Sequence, residues 1–270
     1  MIEDFGHATL GETGRRVYRL GLSGTYRPGK ETIHKALDEG VNYLFCYGFD
    51  GQIIQTVREM SPADREKYVV ATGAYNLIWT RQDLRKTLEK RLKQLGTDYI
   101  DVFHFLGVMK PGQFPEPLRE ELQSLKENGR VRAVAMSCHD RKFAGALAEN
   151  GGLDVFMIRY NAAHPGAERD IFPYLEKHRP GIVSYTATRW SYLLRRPKGW
   201  PKDGPVPTAP MCYRFVLSNP NVDVCMMAPY NRKQAEEDLA AVRQGPLSDE
   251  EMRFMREFGE AVHRAQKWFM

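Results

Sequence analysis

The sequence predicts an α/β barrel: eight parallel strands, each followed by a helix, closed on themselves, with one further helix at the C-terminal end. Three observations carry that prediction. Eight short apolar runs alternate with helix-length charged runs, with no composition break and no long linker between them. That alternation is the signature of a parallel sheet with right-handed crossovers. The 270 residues suffice for one such barrel, which typically takes about 250. Finally, no GxGxxG follows the first strand, as an open dinucleotide-binding sheet would have it, so closure is preferred over the doubly wound alternative.

Residues 95–107 (LGTDYIDVFHFLG) show the repeating unit most clearly. The charged run 81–94 (RQDLRKTLEKRLKQ) is a helix that Thr80 can cap, and Gly96 suits a left-handed C-cap. Residues 99–105 are aromatic and β-branched with Asp101 their only acid, which reads as a strand covered on both faces. The other elements follow in order. Residues 16–23 (RVYRLGLS) are the first strand and 30–39 its helix. Residues 43–47 are the second strand and 51–60 a helix; 68–74 (YVVATGA) are the third strand. After the fourth strand, 115–128 are helical, 131–137 (VRAVAMS) form the fifth strand and 142–149 a helix. Residues 155–160 are the sixth strand and 167–177 a helix; 181–186 are the seventh strand. The helix at 208–217 stops at Asn219-Pro220, 222–227 (VDVCMM) are the eighth strand, and 232–242 a helix. Ser248 opens the last helix with a capping-box pattern, SDEE. All 270 residues are read as one domain.

Composition narrows the function. The hydrophobic share is 42%, enough for a sizeable core. No apolar run reaches the roughly 20 residues of a membrane span, and the N-terminus lacks a signal pattern, so a cytoplasmic protein is expected. Cys46, Cys138, Cys212 and Cys225 are far apart and form no CxxC, so neither a zinc site nor a disulfide framework is expected. The net charge of +5 suits anionic small ligands. Without a basic helix carrying interleaved aromatics, it does not point to nucleic acid. The basic run 195–202 (RRPKGWPK) is broken by Pro and Gly and reads as a solvated loop, or else a phosphate-facing lid. Nothing in the sequence sets an oligomeric state.

Several segments, in order along nearly the whole chain, resemble the aldo-keto reductase superfamily. They are LGETGRRVYRLGLSG, GVNYLFCYG, LKQLGTDYIDVFHF, VRAVAMSCH, and FVLSNPNVDVCMM followed by QAEEDL. The resemblance implies a barrel that moves a hydride between NADP and a small carbonyl or alcohol, with a Tyr as general acid tuned by Lys and Asp and a His orienting the carbonyl. Carried over position by position, the family's Asp falls on Phe45, its Tyr near Asp50, its Lys on Gly73 and its His on Leu106. The usual tetrad is therefore missing. On the cofactor side, Ser137 matches the Ser that binds the carboxamide, while Cys138 and Met157 replace its Asn and Gln partners. Tyr185 matches the aromatic that stacks on the nicotinamide. The start of the last barrel helix, with Arg232, Lys233, Gln234, Glu237 and Asp238, matches the adenosine-phosphate site, where a helix N-terminus with adjacent cations is a sound anion site.

Strand geometry offers substitutes for the tetrad. Residues two apart face the same side, so if Phe45, Gly73 and Leu106 face the interior, Tyr47, Tyr75 and His104 do too, and Ser137 brings His139 to the mouth. Tyr47 is the preferred acid, with His139 or Asp50 as its partner. His104 lies one layer deeper. A catalytically silent binding protein on the same scaffold, or a lyase or isomerase using Tyr47, Asp50, His139 and Arg159, are the other readings that this constellation allows.

Overall fold

A computed structural model describes residues 4–76 and 81–266. Two short strands, β1 (His7–Thr9) and β2 (Arg16–Tyr18), pair antiparallel ahead of the barrel. The barrel strands are β3 (Leu20–Ser23), β4 (Tyr43–Phe45), β5 (Val69–Tyr75), β6 (Ile100–Val108), β7 (Val131–Cys138), β8 (Val155–Arg159), β9 (Gly181–Tyr185) and β10 (Val224–Met227). Each pairs in parallel with the next, and β10 returns to β3, so the sheet closes as the sequence predicts.

The helices are α1 (Lys30–Asp38), α2 (Gly51–Arg58), α3 (Pro62–Arg65), α4 (Leu84–Leu95), α5 (Glu116–Ser124), α6 (Arg141–Asn150), α7 (Ala167–Asp170), α8 (Ala209–Leu217), α9 (Arg232–Gln244) and α10 (Asp249–Ala265). Gly96 caps α4 at φ +63°, as its sequence suggests, and the Ser248–Glu251 capping box opens α10. Among the described residues, no helix is long and apolar enough to cross a membrane.

Four expectations are corrected. The first strand, 16–23, divides at Arg19, which is 2% exposed and donates from Nη2 to Val222 O at 2.7 Å. Its first half leaves the barrel to make the β1–β2 hairpin, which places Leu10 and Val17 across the interior as a floor. The helix at 167–177 is only one turn of α7 followed by a 3-10 turn, Phe172–Tyr174. Pro173 has no N–H to continue it, and its ring crowds the preceding turn. Helix α4 begins at Leu84 with Asp83 accepting from Lys86 N at 2.8 Å, and Thr80 lies outside the described residues. Strand β6 runs on to Val108 through an irregularity at Gly107, whose N–H donates to Ser137 Oγ at 2.9 Å.

Two apolar cores result. The outer one joins the strands' outward residues to the helices. The inner one fills the barrel, from Leu10 and Val17 at the floor to Phe45, Leu106 and Met157 higher up, with the half-buried Tyr47, Tyr75 and Tyr185 packed on it. Those three tyrosines mark the C-terminal mouth, where barrels of this kind carry their sites.

Candidate active site

The mouth is lined by residues that alternate along the strands. Phe45 and Leu106 face inward, and Tyr47 rises above Phe45 with ring centroids 4.8 Å apart. Tyr47 also stacks against Tyr75 at 6.4 Å and Phe49 at 5.4 Å. On β5, Gly73 sits beside His104, and a Cβ there would come within 2.1 Å of the His104 carbonyl oxygen. The backbone at that position has no space for a side chain. His104 is fully buried one layer down, edge-on to Phe45, and donates from Nδ1 to Thr72 O at 3.3 Å. Burial pushes its imidazole down to about 4, so it is neutral at neutral pH.

Across the mouth, His139 follows β7 and is anchored by its N–H to Val108 O at 2.9 Å. Its Nε2 stands 3.5 Å from the Tyr185 hydroxyl, the outer limit of a hydrogen bond, and its buried Nδ1 has no hydrogen-bond partner among the described residues. Burial, and then the charge of Arg159 at the end of β8, hold its imidazole below the usual value. Arg159 also acts on Tyr185. The mouth thus brings together a neutral imidazole, a phenol and a guanidinium.

The expected pairing of Tyr47 with His139 or Asp50 is replaced by a His139–Tyr185 contact. Asp50 is turned into its own loop, 1% exposed, where Oδ1 accepts from Gly48 N at 3.1 Å and burial raises its carboxyl to about 6. Ser137 is buried with its Oγ taken up as acceptor for Gly107 N. Cys138 donates from Sγ to Asp140 O at 3.2 Å, and Met157 belongs to the inner core.

At the start of α9, Asn231 caps the helix by accepting from Gln234 N at 3.0 Å. Gln234 Oε1 accepts from Tyr230 N at 2.8 Å. Arg232 is ion-paired with Glu31 at 2.5 Å and Glu236 at 2.9 Å, and Lys233 and Glu237 are exposed. Asp238 departs from the expected row. It is 6% exposed and turned toward α8, accepting from the Tyr213 hydroxyl at 3.3 Å, and burial raises its carboxyl to about 7.

Sequence reasoning did not single out Phe49, Tyr26, Tyr230 or Arg91. Phe49 is 67% exposed beside the mouth, and Tyr26 and Tyr230 stack at 4.1 Å between the loops after β3 and β10. Their signal was their place just past strand ends. Arg91 is buried at the helical spacing of Leu84, Leu88 and Leu95, inside the inward stripe of a run that otherwise reads as a solvated charged face.

Comparison with known proteins agrees with this geometry. The profile of the aldo/keto reductase family matches residues 25–260. The chain is 23% identical to the NADH-specific methylglyoxal reductase of Escherichia coli (strain K12), over 94% of this chain and 98% of that protein. It is 25% identical to aldo-keto reductase YhdN of Bacillus subtilis (strain 168), over 66% of this chain and 61% of that one. Among solved structures it is similar in fold to the holo form of aldo-keto reductase AKR11C1 from Bacillus halodurans. The TM-score is 0.76 at 18% identity, over 94% of this chain and 96% of that chain. A closed eight-stranded barrel and a family match that spans residues 25–260 lead to one conclusion: the chain belongs to the aldo/keto reductase family.

Proposed function

We propose that this protein is a nicotinamide-dependent oxidoreductase that interconverts a small carbonyl compound and its alcohol, with an altered proton-transfer apparatus. The observation that carries the reading is the His139–Tyr185 contact under the charge of Arg159, at the mouth of a barrel of this family.

The residues fit a nicotinamide cofactor at both ends. The exposed N-terminus of α9, with Arg232 and Lys233, suits a phosphate. Tyr185, half-buried at the end of β9, offers a ring face, and the unpartnered His139 Nδ1 offers a polar atom beside it. When bound, the cofactor supplies the hydride. Arg159 stabilises negative charge developing on the substrate oxygen in a site of low polarity. The Tyr185–His139 pair relays the proton to that oxygen, and Tyr47 is a second hydroxyl across the mouth. NADP is the form that Arg232 and Lys233 favour. Arg232 must first give up Glu31 and Glu236, a small cost because both pairs are open to solvent and screened by it. Because a relative bears the name NADH-specific, both forms belong in the test.

A second reading rests on the inner wall. Phe45, Leu106 and a Gly73 without space for a side chain offer no ionisable group there, which also suits a protein that binds the cofactor without turnover. Fluorescence titration with NADPH and NADH, followed by turnover of an aldehyde and alcohol panel, separates the two. Binding with turnover that falls roughly 10²–10⁴-fold in His139→Gln supports the enzyme. Binding with no turnover supports the silent protein, and no binding of either cofactor overturns both.

A further inference from the structure

A cleft of about 340 Å³ opens beside the mouth, between the loop after β4 and helix α4. Tyr47, Phe49, Tyr75, Gln82, Lys90 and Arg91 form its walls. Both charged residues among them are cations. Tyr47 and Tyr75 also pack on the inner core, so the cleft is continuous with the barrel mouth.

The donors in these walls are underused. The Tyr75 hydroxyl oxygen is buried without a hydrogen-bond partner among the described residues. Arg91 is 5% exposed; its Nη1 donates to the neutral Gln94 Oε1 at 2.8 Å, while its buried Nε has no hydrogen-bond partner among the described residues. Burying a guanidinium is costly unless its charge and donors are matched. The loop is built to admit it all the same. Gly48 has φ +89°, and a Cβ there would lie 1.8 Å from Arg91 Nη1, so only glycine lets the backbone ride over the guanidinium. Asp50, held in the same loop by Gly48 N, acts on Arg91 through space and leaves its own Oδ2 without a hydrogen-bond partner. An arginine and a phenol buried in the walls of one aromatic cleft thus both carry donor capacity that the fold leaves unused.

We propose that this cleft is a carboxylate subsite. It takes the anionic end of a planar or aromatic carboxylate-bearing compound, with charge from Arg91 and Lys90, a hydrogen bond donated by Tyr75 and apolar flanks from Tyr47 and Phe49. Resting on the oxidoreductase reading, this makes the substrate class carbonyl compounds that carry a carboxylate at their far end. The charge-assisted contacts to an arginine are the strong ones, because ionised partners shorten and strengthen a hydrogen bond.

The test is binding of benzoate and of benzamide to the intact protein without cofactor, by calorimetry. Benzoate is expected to bind and benzamide to bind at least tenfold more weakly. Lys90→Gln, at an exposed helix position, is expected to weaken benzoate about threefold, and Tyr75→Phe, which keeps the ring, by a similar factor. Arg91→Gln is expected to weaken it at least tenfold, with benzamide unchanged in all three. Equal affinity for the two probes, or benzoate binding unchanged in both Lys90→Gln and Tyr75→Phe, would overturn the subsite. Because these measurements need no nicotinamide, a protein that binds benzoate in this way but no cofactor keeps the subsite and loses the oxidoreductase reading. One that binds cofactor but does not prefer benzoate does the reverse.

Discussion

Asp101 is the residue on which the closed end of the barrel converges. Its buried carboxylate meets Arg65 at 2.7 Å, Arg132 at 3.1 Å and Arg15 at 3.9 Å, and accepts from Val70 N at 3.0 Å. Arg65 and Arg132 also lie over the Tyr99 ring, at 4.4 and 3.8 Å from its centroid. Asp101→Asn keeps the shape and an acceptor for Val70, but leaves the buried Arg65 without its counter-charge. Breaking a buried pair in this way costs about 3–5 kcal/mol. The part due to Arg132 is smaller, because that side chain is 36% exposed and water screens it. The urea midpoint should fall accordingly. A loss below about 1 kcal/mol, on the scale of an exposed pair, would show that the network is decorative. At this scale the sequence is readable where period 2 governs: the depth of His104 and the height of Tyr47 and Tyr75 follow from strand alternation. It is unreadable where a side chain turns back on its own loop, as Asp50 does, or lies within an inward helical stripe, as Arg91 does. A charge carries no sign of which way it points.

The elements were the most readable part, because each strand is an apolar run and each long helix an amphipathic one. The misreadings fall where a single residue breaks the pattern: Arg19 dividing the first strand and Pro173 ending α7. The unread connections are the ones held by buried arginines. Arg214 of α8 donates from Nε to Gly245 O at 2.8 Å and from Nη2 to Pro246 O at 2.9 Å, and grips Glu251 at 2.6 and 2.8 Å. Glu251 is also the N3 partner of Ser248, so one guanidinium secures both the turn after α9 and the start of α10. Arg189 holds the other end, donating to Val262 O at 3.0 Å and Gln266 O at 2.6 Å. Arg214→Met should cost roughly 2–3 kcal/mol, since hydrogen bonds to charged groups are worth about 1.5–3 kcal/mol. The loss should be local. Amide protection should drop across α10 while β5–β7 keep theirs. Trp200, packed on Phe258 at 4.9 Å, should report the loosening by a red-shifted emission. Uniform loss of protection across the barrel would show instead that α10 belongs to the same cooperative unit.

The whole molecule closes around an apolar interior and an apolar helix layer, and both bury titratable groups. Burial raises Asp50 and Asp223 to about 6 and Asp238 to about 7. Unfolded, each titrates near about 3.9. The folded state therefore binds these protons more tightly; the stabilisation is complete below about pH 4 and is lost as pH rises through the folded values. The buried histidines oppose this. Burial lowers His104 to about 4 and His164 to about 3, against about 6.5 unfolded, so their contribution is present above about 6.5 and lost as pH falls toward the folded values. Between pH 4 and 6 the two sets offset one another. Above about 6.5 the histidines are silent and Asp238 still titrates, so stability should decline from pH 6 to 8 through that residue. Asp238→Asn tests this directly, because the amide oxygen still accepts from the Tyr213 hydroxyl but takes no charge. Thermal unfolding at pH 6, 7 and 8 should show the variant gaining on the wild type by a few degrees as pH rises, each kcal/mol being worth roughly 2–4 °C in a chain of this size. Parallel curves for the two proteins would mean that Asp238 is ionised in the fold across the whole range, and that the α8–α9 interface admits water.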